Sequence, residues 1–178
     1  AEAGVQPIVG CALEVRGENG VAGTLALFAQ STEGYARLMR LSSAAYLEPS
    51  ASEEAHVTLA RVYDEAEGLI ALTGGGEGLF AQLLAEGKGD IVEAELQQLA
   101  RVFDNRLYVE LQRHNERIEA DTEGALVELA YKLSLPLVAT NDVRFETRKG
   151  HAAHDALMCI AASSYLGEEE RPRVTAEH

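Results

Sequence analysis

Long apolar runs and cysteines are both scarce in this chain of 178 residues. A helix that crosses a bilayer needs roughly 20 consecutive apolar residues. No stretch of the sequence approaches that length, which excludes a membrane-spanning class. The two cysteines, Cys11 and Cys159, are too few for a disulfide scaffold and suit a reducing cytoplasm. Neither has a histidine close in sequence, so we interpret both as packing residues.

Basic residues are outnumbered, with 15 Lys plus Arg against 29 Asp plus Glu and a formal charge of −14. Duplex DNA attracts clustered cations, so this balance argues against a stand-alone nucleic-acid-binding domain. The composition is otherwise that of a folded domain, with 47% apolar and 25% charged residues. The length fits one domain or a large piece of one.

Short β-rich runs alternate with runs of helical periodicity. Strands are predicted at 5–15, 24–29, 69–72, 107–111 and 135–140, and helices at 31–41, 56–65, 79–84, 90–103, 121–133 and 150–162. This alternation predicts an α/β fold with mostly parallel strands. In such folds ligands bind at the carboxyl ends of strands, so the candidate positions are 74–76, 112–114 and 141–144.

Two of the predicted helices have an apolar face that the sequence identifies. The first begins at a Ser31 cap and carries Tyr35, Leu38, Met39 and Leu41. The last places Cys159 beside Leu157 and Ile160.

Few side chains in the sequence suggest chemistry by themselves. His114 and Asp142 each follow a predicted strand and could share one mouth, but two metal ligands are a weak signal. His151 and His154 lie on one face of the last helix without a third ligand, and their role stays open. The glycines after Leu72 match neither a dinucleotide fingerprint nor a P-loop, which favours a tight strand-to-helix turn.

Six stretches taken together are far more specific than any of these residues alone. In chain order they are PIVGC at 7–11, EGY at 33–35 with LMRL at 38–41, EGLIALTGG at 67–75, LYVELQRH at 107–114, LPLVATNDVRF at 135–145 and AHDAL at 153–157. In these motifs the sequence resembles the amino-terminal PHP (polymerase and histidinol phosphatase) domain of bacterial replicative DNA polymerase III alpha subunits.

The resemblance implies a distorted (βα)7 barrel with a metal site at the carboxyl ends of its strands. Residues 1–166 would be a segment of that barrel without its first units, and 167–178 an acidic linker toward the polymerase palm. The parent would be a cytoplasmic DNA-directed DNA polymerase with Mg²⁺ in the palm. Its partners would be a proofreading exonuclease subunit and other replicase subunits, with DNA contacted only through domains outside this segment.

The resemblance also implies which residues stand at the metal-ligand positions. Metal-binding members have Glu where this chain has Ala12, Cys where it has Gly75, and His where it has Arg144, whereas His114 and Asp142 are retained. A guanidinium stays protonated and cannot ligate a cation. The pattern is that of the branch whose site is inactive, which implies no catalytic residue and no metal cofactor in this segment.

Two alternatives to a non-catalytic segment stay open from the sequence. The first is an active Zn²⁺- or Mn²⁺-dependent phosphoesterase or 3′–5′ exonuclease, in which metal-bound hydroxide attacks phosphorus. His114 and Asp142 would then contribute ligands together with residues upstream of this segment. The second is a free-standing α/β interaction domain unrelated to replication.

Overall fold

The computed structural model describes residues 3–178, so Ala1 and Glu2 of the predicted barrel segment lie outside the described residues. The strands are β1 (Gly10–Arg16), β2 (Ala22–Ala29), β3 (Val57–Thr58), β4 (Leu69–Leu72), β5 (Leu107–Leu111) and β6 (Leu137–Ala139). The helices are α1 (Thr32–Leu47), α2 (Leu59–Asp64), α3 (Leu79–Ala85), α4 (Gly89–Phe103), α5 (Arg117–Leu133) and α6 (His151–Ala162). None of the helices so described has the length and apolar character that a membrane span requires.

The strands form one sheet in the order β3-β1-β2-β4-β5-β6. Three of its five pairings are parallel (β1 with β3, β4 with β5, β5 with β6), whereas β2 runs antiparallel to both neighbours. The connection from β1 to β2 is too short for a crossover helix, which forces a hairpin. Within residues 3–178 the edge strands β3 and β6 do not pair, so the sheet is open. The predicted α/β fold, a partial barrel with mostly parallel strands, is confirmed.

The core lies between one face of the sheet and the helices. Burial alternates along the β1–β2 hairpin, where Leu13, Val15, Leu25 and Leu27 are buried. The other face of this hairpin looks into a cavity, as expected from the period of two in a strand. Further helix and strand residues complete the buried cluster, among them Leu41, Phe80, Leu96, Leu99, Phe103, Leu107 and Val109.

Helix α1 begins as predicted but buries a different face. The Ser31 hydroxyl caps it by accepting from the Gly34 backbone N–H at 3.0 Å. Leu38 and Leu41 are buried, whereas Tyr35 is 43% and Met39 47% exposed, so only half of the predicted apolar face lies in the core. The reason is a close approach of backbones, because a Cβ at Gly34 would lie 1.8 Å from the Gly68 carbonyl oxygen. That approach turns the Gly34 side of the helix toward the sheet.

Two other segments differ from the prediction. Residues 56–65 form the short strand β3 and helix α2 instead of one helix. In α6, Cys159 is buried, but Leu157 is 63% and Ile160 75% exposed. Of the apolar face predicted for this helix, only Cys159 is buried. Within the described part of the chain, α6 packs mainly against the short turn Arg148–Gly150 before it and not against a strand of the sheet, so much of its apolar side is left in solvent.

Candidate functional site

A cavity of about 530 Å³ lies at the carboxyl ends of β4, β5 and β6. Parallel strands place these ends together, which is why the segments after Leu72, Leu111 and Ala139 converge there. Of the five predicted site positions, Ala12, His114, Asp142 and Arg144 line the cavity, and Gly75 lies between the lining residues Gly74 and Gly76. The expectation that His114 and Asp142 share one mouth agrees with this placement.

His114 is held on three sides and is only 2% exposed. Its Nδ1–H donates to Glu119 Oε1 at 2.7 Å, and its backbone N–H donates to Glu119 Oε2 at 2.6 Å. Its Nε2 lies 2.7 Å from Asn141 Oδ1. The Asp142 backbone N–H donates to Nε2 at 3.3 Å, so Nδ1 carries the proton and the one lone pair of the ring, on Nε2, has a protein partner.

Glu119 owes its position to the start of α5. It is the third residue of the helix and forms a capping box with Glu116, whose backbone N–H donates to Glu119 Oε2 at 3.2 Å. The amino end of a helix favours a carboxylate electrostatically. One buried carboxylate therefore caps α5 and fixes His114 at the same time.

Glu110 is a second buried carboxylate, in the middle of β5. Its side chain accepts from the Gly74 backbone N–H at 2.9 Å and from the Thr140 hydroxyl, and its own backbone N–H donates to Thr73 Oγ1 at 2.9 Å. Buried carboxylates are tolerated when they are hydrogen-bonded in this way. Glu110 thus ties together the carboxyl ends of β4, β5 and β6.

Gly75 leaves room that the Gln112 side chain fills. It has a φ of +57°, and a Cβ there would lie 2.1 Å from Gln112 Oε1. Gln112 Nε2 in turn donates to Thr140 Oγ1 at 3.1 Å. A side chain at position 75 would therefore have to displace a glutamine that already belongs to the hydrogen-bond network.

Arg144 pairs with Asp142 at the rim of the cavity. The guanidinium donates from Nε at 2.6 Å and from Nη2 at 2.5 Å to Asp142 Oδ2. Both side chains are about 40% exposed, so solvent screens the pair and its contribution to stability is small. The Asp142 carboxylate nevertheless faces the permanent positive charge of the Arg144 guanidinium.

Comparison with known proteins identifies the family. A model of the PHP domain matches residues 1–114. The chain belongs to the PHP domain family. A DNA polymerase III subunit alpha of Caulobacter vibrioides is 47% identical over 184 residues, covering 99% of this chain and 16% of that protein.

Further relatives carry related names. One from Pseudomonas aeruginosa, also a DNA polymerase III subunit alpha, is 36% identical and covers 98% of this chain and 15% of that protein. An error-prone DNA polymerase of Symbiobacterium thermophilum is 36% identical and covers 96% of this chain and 17% of that protein. The PHP chain thus spans about a sixth of the length of the curated relatives it matches.

The residues of this PHP domain do not fit the metal site that the family implies. Among residues 3–178, no three His, Cys, Asp or Glu side chains converge closely enough to hold an ion. His114 is engaged at both nitrogens and Asp142 is paired with Arg144. Ala12 and Gly75 contribute no ligand atom. The histidines of α6 lie elsewhere, where His151 Nε2–H donates to the Val174 carbonyl at 2.9 Å.

The partners that organise the site were not predicted from the sequence. Glu110 had a detectable signal, because it is the one charged residue in the apolar strand LYVEL. Glu119 stands three residues after Glu116 at a helix start, which is capping-box spacing with an unusual first residue. Asn141 lies within the predicted range 141–144, although its contact with His114 was not predicted. The carboxy-terminal residues Thr175 and His178 gave no local signal, because their contacts depend on the tertiary fold.

Proposed function

We propose that this chain is the PHP segment of a bacterial DNA polymerase III alpha subunit and therefore acts in DNA replication. The support is the 47% identity to a protein of that name across 99% of the chain. The parent would be a cytoplasmic DNA-directed DNA polymerase, with nucleotide transfer and its Mg²⁺ in domains outside this chain. The charge of −14 fits a segment whose parent contacts DNA elsewhere.

Within that parent, the PHP segment would be a non-catalytic scaffold. The observation that carries this proposal is the saturated state of His114, whose ring nitrogens are bonded to Glu119 and Asn141. Together with the Glu110 network, these bonds hold the strand ends in the way a bound ion would hold them. The scaffold would stabilise the polymerase and present a surface to the proofreading exonuclease subunit and other replicase subunits.

Elemental analysis of the full-length protein, purified without chelator, tests the scaffold proposal. We expect substoichiometric Zn²⁺ and Mn²⁺ in a protein that unfolds cooperatively. One or more tightly bound ions, lost in His114→Ala but kept in the matched control His56→Ala, would contradict it. His56 suits the control because it is also buried but bonds the Glu54 carbonyl, away from the cavity. That result would favour the metal-dependent phosphoesterase or exonuclease.

A further inference from the structure

Residues 171–178 fold back onto the cavity, although this segment was predicted as the end of an acidic linker. The acidic run Glu168–Glu170 is exposed, whereas most of residues 171–178 are partly buried. Arg173, Val174 and His178 form part of the cavity wall. Residues 171–178 are named the strap below.

The strap contacts the site at His114 itself. The Thr175 hydroxyl donates to the His114 carbonyl oxygen. The His178 ring stacks on the His114 ring, with centroids 4.0 Å apart and planes inclined by 16°. These contacts cover the face of His114 that would otherwise look into the cavity.

Thr175 also organises the strap internally. Its single hydroxyl proton is used on the His114 carbonyl, so its oxygen accepts from its other two neighbours. These are the Glu177 backbone N–H at 3.2 Å and His178 Nδ1 at 3.1 Å, which therefore carries the proton. One hydroxyl thus joins the strap turn, the stacked ring and the site.

The other end of the strap is anchored to α6 and the turn before it. Arg171 forms a two-pronged ion pair with Asp155, with Nη1 to Oδ1 at 2.5 Å and Nη2 to Oδ2 at 2.8 Å, and its side chain is only 5% exposed. The Val174 carbonyl accepts from His151, and Glu177 pairs with Arg148. This gives His151 a role that the sequence left open.

We propose that the strap is a latch that closes the cavity over His114 and couples the order of this site to the path of the chain around residue 178. The coupling is reciprocal, as linkage requires. Loosening the strap frees the His114 loop, and loosening the loop frees the strap. The inference goes beyond the proposed function and rests only on the contacts between the strap, His114 and α6.

Limited trypsin digestion of the full-length protein tests the latch, with early cleavage products resolved by mass spectrometry. Trypsin cleaves poorly between Arg171 and Pro172, so Arg173–Val174 is the bond that reports strap opening. We expect Thr175→Val to raise cleavage at this bond roughly three- to tenfold, as expected when a hydrogen-bonded hydroxyl is lost. Cleavage after Lys88, far from the strap, is expected to stay unchanged. Rates are divided by those of peptides 168–178 with the same substitution, which corrects for sequence preference of the protease.

Two further variants separate the latch from a general loss of structure. His178→Phe keeps a stacking ring and is expected to open the strap less than His178→Ala. Thr147→Val is the matched control, because Thr147 is exposed and its side chain makes no capping bond. Hydrogen exchange at the His114 amide supplies the reciprocal readout and is expected to accelerate in Thr175→Val. Cleavage and exchange at wild-type rates in both Thr175→Val and His178→Ala would overturn the proposal.

Discussion

The cavity end of the sheet and the outer side of α6 differ in where their polar and apolar side chains lie. At the cavity, buried polar groups have protein partners, since Glu110 accepts from Gly74 and Thr140 and His114 is bonded to Glu119. On α6 and the residues after it, large apolar side chains lie in solvent, namely Leu157, Ile160, Tyr165 and Leu166. The buried polar groups of the cavity thus have partners among residues 3–178, whereas the apolar side of α6 would gain stability from being covered.

The largest expected effect comes from removing a buried, hydrogen-bonded carboxylate at the cavity. Glu119→Ala removes the acceptor of the His114 backbone N–H and ring N–H and the partner of Glu116. We expect a loss of about 3 kcal/mol in the free energy of unfolding, because buried donors are left unpaired. Urea unfolding of the chain, followed by circular dichroism, measures it.

Glu123→Ala is the matched control on the same helix. Glu123 makes only a surface ion pair with Arg113, so its removal is expected to cost less than about 1 kcal/mol. Equal effects of the two substitutions would contradict a special role for the bonded site.

Gly75→Cys sharpens the same comparison, because it introduces the residue type that the family resemblance implies for this position in metal-binding members. The positive φ and the nearby Gln112 side chain oppose any Cβ. We expect a loss of about 1–3 kcal/mol in the free energy of unfolding. Gly87→Cys is a useful control, since Gly87 has φ +74° but nothing within 4 Å of a Cβ. A larger loss at position 87 than at position 75 would contradict the steric account.

A pH titration tests the Arg40–Glu65 ion pair, which lies neither at the cavity nor on α6. The Arg40 guanidinium holds the pKa of Glu65 below its ordinary value, through a hydrogen bond that outweighs the opposing effect of burial. Because the folded pKa is lowered, this pair stabilises the protein above the unfolded pKa near 4.5 and ceases to do so as pH falls through the folded pKa. Glu65→Gln should therefore reduce the loss of stability below pH 4.5. An unchanged profile would contradict the assignment.

The smallest effect is expected on the apolar side. Ile160→Ser changes a side chain that is already in water, so the free energy of unfolding of this chain should shift by less than about 0.5 kcal/mol. Leu41→Ser, in the buried core, provides the contrast. A large loss for Ile160→Ser in the isolated chain would show that α6 is packed more tightly than its exposure indicates.

Local patterns predicted much of the fold and only part of the site. The three strands that precede Gly75, His114 and Asp142 were predicted correctly, because apolar runs and glycine turns are local signals in a sequence. The antiparallel course of β2 and the exposure of Ile160 depend on which elements lie beside them. Glu119, Asn141 and His178, which contact His114, lie 5, 27 and 64 residues away in sequence. No fixed spacing in the sequence therefore predicts these contacts.

Thermal unfolding of the full-length protein with added Mn²⁺ or Zn²⁺, and with chelator, tests the central claim most directly. That claim is that protein hydrogen bonds occupy the place of a metal. We predict that any change in midpoint temperature with either ion is the same in the unmodified protein and in His114→Ala, because an ion that does not bind the folded PHP segment adds no stability through it. A saturable, metal-dependent rise that His114→Ala abolishes and His56→Ala retains would contradict it.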